Sequence, residues 1–370
     1  MHTRLSKLNR RYDLCPQMRT YDTLRQFLFP YLTHTNQPNV RERCLTTDEN
    51  GIRFTVNQGI LTEPSTFRSG TIFLGGSVCM GWGASSDATT PASIFSSLTS
   101  SETLNLGIGA GNSMMEIINA IPFCGQPGNY FFSITGANTL SNQIYQSLYG
   151  FNPFAKFEPI MPFNHYFWKA VFANDILFNS FTIRDDLDVH KYFKTEEDLY
   201  RLSELVASRE QRRRDFDINN KNKGSKNDHE DVYLLKKSFD KSMCLDLAHS
   251  RQCDSISILN RLTSGRYCVI IQPFSLATGQ RALTSEEQTL IDEHKIFCND
   301  ESRFVTFEVM AELYTEFTNH LIEFCQKEGI SFIDATTPPS SWCFVDTAHL
   351  NDNGNRYLAE LAAGHYHQRC

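Results

Sequence analysis

Gly70-Thr71-Ile72-Phe73-Leu74-Gly75-Gly76-Ser77 contains a continuous apolar run bounded by glycines. A strand with one wet face alternates polar and apolar residues, whereas an unbroken run of this length reads as a strand buried on both faces. Similar runs follow at residues 103–106, 130–135, 267–272 and 330–334. Five such strands predict a parallel sheet. Helical patterns fall between them. Thr90-Pro91 supplies an N-cap and first-turn pair for a helix through Leu98, and Met310, Leu313, Tyr314, Phe317, Leu321, Phe324 and Cys325 trace one face of a helix closed by Gly329. Alternating strands and helices define an α/β fold, in which right-handed crossovers put helices on both faces of the sheet. Ligands of such sheets sit outside the carboxyl ends of the strands, so chemistry is expected in residues that directly follow strands.

Composition narrows the function classes. Of the 370 residues, 41% are hydrophobic, 12% aromatic and 21% charged. That excludes a disordered chain and predicts one large core carrying an insertion. A formal net charge of -7 argues against a nucleic-acid-binding surface. No apolar run approaches the roughly 18–20 residues that cross a bilayer. The eleven cysteines lie far apart without a C-x-x-C pair, a spacing that builds neither a zinc site nor a disulfide framework. The basic N-terminus lacks the apolar stretch of about 7–15 residues found in secretory signals. Together these features predict a reduced, cytoplasmic protein. His165, His190, His229, His294, His320, His365 and His367 show no ligand spacing beside carboxylates, so neither a metal nor another cofactor is expected.

The expected organisation is a lead-in element over residues 1–69, a core over 70–140 and 263–370, and a largely helical insertion over 141–262, where strand and helix stop alternating. Leu24, Phe27, Leu28 and Leu32 suggest a short helix in the lead-in. The insertion opens with an aromatic third from Phe154 to Phe178, continues as a charged helical stripe through Leu199, Leu202, Leu205 and Val206, and ends in a polar loop over 219–231. Its tribasic Arg212-Arg213-Arg214 could touch phosphate, but Glu196, Glu197, Asp198, Glu204 and Glu210 surround it and favour a solvated helix face.

Three strand ends and one loop carry the candidate chemistry. Ser77 follows two glycines at the tip of the first strand, where a nucleophile fits, although a loop serine after a glycine turn is the competing reading. Residues 105–112, Asn-Leu-Gly-Ile-Gly-Ala-Gly-Asn, open a short helix and can aim backbone amides into a crevice; a phosphate-binding loop is the rival there. Gly136-Ala137-Asn138 ends the third strand with a side-chain amide. After the last strand comes Asp346-Thr347-Ala348-His349, a spacing that lets a carboxylate accept the imidazole Nδ1 proton and turn Nε2 toward a serine. Asp246 and His249 share that spacing, but inside a predicted helix where such pairs are usually surface decoration.

In this order Ser77, Gly107–Gly111, Asn138 and Asp346/His349 resemble the four conserved blocks of SGNH (GDSL-type) hydrolases. The resemblance covers about residues 70–140 and 265–365. It implies a flavodoxin-like three-layer α/β/α sandwich with a five-stranded parallel sheet, and a serine esterase or acyltransferase. Ser77 is then the nucleophile, His349 the base and Asp346 its orienter. The Ser77 amide, Gly109 and Asn138 form the oxyanion hole, with Ala110 and Gly111 as the other amides the register allows. Two aspartates usual in the family are absent, since G-D-S becomes Gly75-Gly76-Ser77 and G-x-N-D becomes Gly136-Ala137-Asn138-Thr139.

The leading expectation is hydrolysis of a small acyl ester on a sugar, glycan or metabolite through an acyl-enzyme on Ser77. The alternatives are an O-acyltransferase drawing on acyl-CoA and a non-catalytic binding or scaffold protein with the same fold. A lid formed by the aromatic third of the insertion would exclude water and favour transfer; a second small core or a dimer surface is the other reading of that segment. Oligomeric state is not legible in the sequence.

Overall fold

The computed structural model describes residues 9–24, 34–149, 240–279, 281–298 and 301–369. All belong to one unit, formed by Met1–Ile160 with Asp240–Cys370. At its centre the predicted runs form five parallel strands, β1 (Thr71–Gly75), β2 (Thr103–Gly107), β3 (Tyr130–Thr135), β4 (Tyr267–Ile271) and β5 (Ser331–Asp334), in the spatial order β2-β1-β3-β4-β5. This is the flavodoxin-like doubly wound order, and it puts a topological switch point between β1 and β3. Register carries the strand ends into line: Gly75 of β1 pairs with Gly107 of β2 and Ile134 of β3.

Helices in chain order are α1 (Asn9–Leu14), α2 (Met18–Tyr21), α3 (Ser77–Met80), α4 (Pro91–Thr99), α5 (Ser113–Cys124), α6 (Ala137–Tyr149), α7 (Lys241–Leu262), α8 (Ser285–Cys298), α9 (Glu301–Glu328) and α10 (Asp352–His367). Alternate strand residues point to opposite faces, so each face has its own core. On one face Phe73, Phe132, Ile134 and Ile270 pack with Phe95 of α4 and with Leu358, Ala359 and Ala362 of α10. Phe73 stacks on Phe132 at 5.3 Å, and Phe95 meets both rings edge-on. On the other, α5, α7 and α9 cover the sheet, where Ile72, Phe131, Val269 and Ile271 are buried. The α/β/α sandwich is therefore complete.

Local sequence explains where the helices begin. Thr90 caps α4 by accepting from the Ser93 amide, Asn112 caps α5 through the Met115 amide, and Asn351 caps α10 through the Gly354 amide. Each cap follows a strand or its loop and so sits near the carboxyl edge of the sheet.

Both ends of the stretch expected as the insertion, residues 141–262, are described. Residues 141–149 continue α6, and 241–262 form α7, which packs on α5, α6 and α9 within the sandwich. Their polar and apolar residues mix too evenly to reveal the buried stripe, which in α7 is Cys244, Leu245, Ala248, Cys253, Ile256 and Leu259. The aromatic third, the charged stripe and the polar loop lie outside the described residues, as does the lead-in helix expected around Leu28. Within the lead-in, α1 and α2 bring Tyr12, Cys15, Met18 and Tyr21 against Leu45, Met80, Leu290 and Val345. Among the described residues, no helix is long and apolar enough to cross a membrane.

Candidate active site

Ser77 opens α3 immediately beyond β1. The backbone turns there because Gly75 takes a φ of 147°, and a Cβ on Gly75 would lie 2.4 Å from the Ile134 carbonyl oxygen. A Cβ on Gly76 would fall 2.2 Å from Nδ2 of Asn138 and 3.1 Å from the Gly111 carbonyl oxygen, so a larger residue there would have to displace the Asn138 amide.

The carboxyl-terminal loop brings the other groups. His349 Nε2 lies 2.8 Å from Ser77 Oγ across 272 residues of sequence, and its Nδ1 lies 2.8 Å from Asp346 Oδ2. A proton on Nδ1 donates to the carboxylate, which leaves Nε2 to accept from the serine hydroxyl. Asp346 Oδ1 also accepts from the amides of Ala348 (2.9 Å) and His349 (2.8 Å). Burial alone would raise the Asp346 pKa. The charge of His349 and its hydrogen bond, followed by the charges of His294 and Arg11, outweigh that and hold the carboxyl well below its ordinary value. The Trp82 indole stacks on the His349 ring, with centroids 5.5 Å apart and planes 26° from parallel.

This loop is held from several sides. Glu287 of α8 accepts from the Cys343 and Phe344 amides and is itself paired with Arg281 at 2.7 Å. Ser275 donates its amide and hydroxyl to the Thr347 carbonyl. A pair Val345 N–H to His349 O at 2.9 Å closes the turn. Arg11 of α1 donates to the Val345 carbonyl at 2.7 Å and to Asp346 Oδ2 at 3.2 Å. Neither Arg11 nor Trp82 carries a signal in the sequence, where Arg11 reads as one more residue of a basic N-terminus.

The amides of block two differ in what they already bind. The Gly109 amide, assigned to the oxyanion, already donates to Asn36 Oδ1 at 2.7 Å, and the Gly109 carbonyl lies 2.9 Å from His34 Nε2. The Gly111 amide donates to the Ile108 carbonyl at 2.8 Å. Of the three candidate amides, that of Ala110 has no acceptor among the described residues. Ala110 takes a φ of 58°, a left-handed conformation that costs a non-glycine residue about 1 kcal/mol or more. Asn138, the second residue of α6, donates Nδ2 to the Gly111 carbonyl at 2.6 Å, which leaves its second amide hydrogen. Asn138 thus lies against both Gly76 and the glycine segment, at the switch point between β1 and β3.

Behind this edge Glu116 of α5 is buried and accepts from the hydroxyls of Ser133 and Thr135; Thr135 and Thr139 are linked through Gln252. The seam ties α5, β3 and α7 together beneath the crevice. The competing pair does not assemble: Asp246 is exposed on α7, while His249 lies 3.2 Å from Cys253 Sγ. Among the described residues there is no cluster of three or more histidine, cysteine or acidic side chains placed to hold a metal.

No family model and no curated protein matches the chain. A solved structure of a member of the lipolytic G-D-S-L family from Veillonella parvula is similar over 81% of this chain and 98% of that one, at 12% identity and a TM-score of 0.36.

Proposed function

We propose that the protein is a serine-dependent acyl-ester hydrolase that forms an acyl-enzyme on Ser77. The observation that carries it is the unbroken relay from Ser77 through His349 to Asp346, with both heavy-atom separations at 2.8 Å. Ser77 Oγ attacks the ester carbonyl while His349 Nε2 takes the hydroxyl proton. The tetrahedral intermediate collapses with release of the alcohol, to which His349 returns that proton. Water, deprotonated by the same imidazole, then attacks the acyl carbon; the bond from that carbon to Ser77 Oγ breaks, His349 returns the proton to Oγ, and the acid is freed.

Asp346 keeps the proton of His349 on Nδ1 and stabilises the imidazolium that forms in each step. Trp82 offers its π face to the same cation, a contact worth about 0.5–2 kcal/mol. The oxyanion is assigned to the amides of Ser77 and Ala110 and to the second hydrogen of Asn138 Nδ2. The substrate class is a small acyl ester of a sugar or metabolite.

A serine-directed phosphonate tests the proposal: stoichiometric labelling of the wild type and none of Ser77→Ala is expected, and an unlabelled wild type overturns it. Turnover of short- against long-chain p-nitrophenyl esters then ranks acyl length, and adding acyl-CoA with candidate acceptors reads transfer directly. Asn138→Ala is expected to lower kcat for a short-chain ester by about a hundredfold or more, as loss of one oxyanion donor does. Unchanged turnover in a cooperatively folding variant would take Asn138 out of that role.

A further inference from the structure

We propose that Arg11 is a positioning residue for the relay, clamping the Asp346 carboxylate against His349 from the N-terminal segment. This rests on the hydrolase function proposed above. Arg11 is 1% exposed, and all three guanidinium nitrogens are engaged. Nε and Nη2 reach the two oxygens of Asp22 at 2.9 and 3.2 Å, Nη1 reaches the Val345 carbonyl at 2.7 Å, and Nη2 also reaches Asp346 Oδ2 at 3.2 Å.

Oδ2 is therefore shared between Arg11 and His349, while Oδ1 is held by two backbone amides. Both oxygens are pinned, so the carboxylate cannot rotate away from the imidazole. Replacing a buried ion cluster by apolar residues is often neutral or favourable for stability, so stability alone does not explain a guanidinium sealed between two acids. Geometry offers the reason, because preorganising an acceptor requires partners that are themselves fixed.

The same short segment grips the serine side of the site. Gln17 donates Nε2 to the Gly83 carbonyl at 2.8 Å, and the Tyr21 hydroxyl donates to the Ala84 carbonyl at 3.0 Å. Gly83 and Ala84 lie in the turn that follows α3, so residues 11–21 brace both halves of a relay whose members are far apart in sequence.

Charge adds a signature that a purely structural brace would lack. The groups facing Asp346 are His349 on its own loop, His294 on α8, Arg11 on α1, the adjacent Cys15 thiol and, behind the guanidinium, Asp22. Burial pushes Cys15 up to about 12, so it stays neutral through the working range. Removing the positive charge of Arg11 makes protonation of the Asp346–His349 pair easier. The acid limb of the pH–rate profile then moves to higher pH.

The experiment follows the rate of Ser77 labelling by phosphonate from pH 4 to 9. Arg11→Met is expected to label about a hundredfold more slowly, with its acid limb raised by about one unit. Arg11→Lys keeps the charge but has a single nitrogen for four acceptors. It is expected to label about tenfold more slowly, with its limb where the wild type has it. A folded Arg11→Met variant with wild-type rate and limb overturns the proposal. If that variant does not fold, wild-type labelling by Arg11→Lys overturns it. Absence of labelling in the wild type is a separate outcome, which removes the hydrolase proposal itself.

Discussion

Alanine in place of His349 is expected to lower kcat/KM for an activated ester by about ten-thousandfold or more, and Ser77→Ala by a similar factor. Such a loss corresponds to about 5 kcal/mol of barrier or more, far above what any one packing contact contributes. A serine hydroxyl is inert at its free pKa, and its reactivity depends on an acceptor for the proton at the instant of attack. His349 Nε2 lies 2.8 Å from Ser77 Oγ. If the proposed relay operates, the two act as one unit and the double variant should be no slower than either single variant. Turnover of p-nitrophenyl acetate, beside a thermal melt that establishes folding, measures this. A folded His349→Ala variant within about tenfold of wild type would mean that the relay does not operate.

Replacing Arg53 with methionine is expected to destabilise the protein by about 3–5 kcal/mol, the range for breaking one partner out of a buried ion pair. Arg53 is fully buried. It pairs with Asp87 at 2.9 Å and donates to the Tyr21 hydroxyl and to the carbonyls of Cys44, Met80, Gly81 and Ser86. Methionine fills much of the volume but leaves the Asp87 charge and these carbonyls without their donor, and each stranded buried acceptor costs about 1–3 kcal/mol. Two of the carbonyls end α3, so the loss should also loosen the turn behind Ser77. Denaturant midpoints at constant slope measure the change. A shift below about 1 kcal/mol would show that water replaces the guanidinium at no penalty.

The strands were legible because burial on both faces leaves an unbroken apolar run. Ile72 and Leu74 point to one face of the sheet and Phe73 to the other, yet all three are buried and read the same way. Helix starts were legible where a short polar side chain satisfies its own turn, as at Thr90. Ser77, Asp346 and His349 stood out because each directly follows a strand or occupies a loop with strict spacing. Helix α7 was harder to read, because it buries cysteine, alanine, serine and glutamine beside Leu245, Ile256 and Leu259.

The choice among Gly109, Ala110 and Gly111 shows a different kind of limit. All three amides are equivalent in the sequence, and the one left unpaired depends on Asn36, more than seventy positions earlier. Arg11 is the extreme case, meeting Asp346 across 335 residues. Strand identity, helix caps and the Asp346/His349 spacing are properties of neighbours along the chain, and periodicity records them because backbone geometry repeats every two or 3.6 residues. Which amide stays unpaired, and which cation faces the buried carboxylate, depends on groups brought together by packing. Their energies follow distance and burial in space, which leave no periodic trace in residue order.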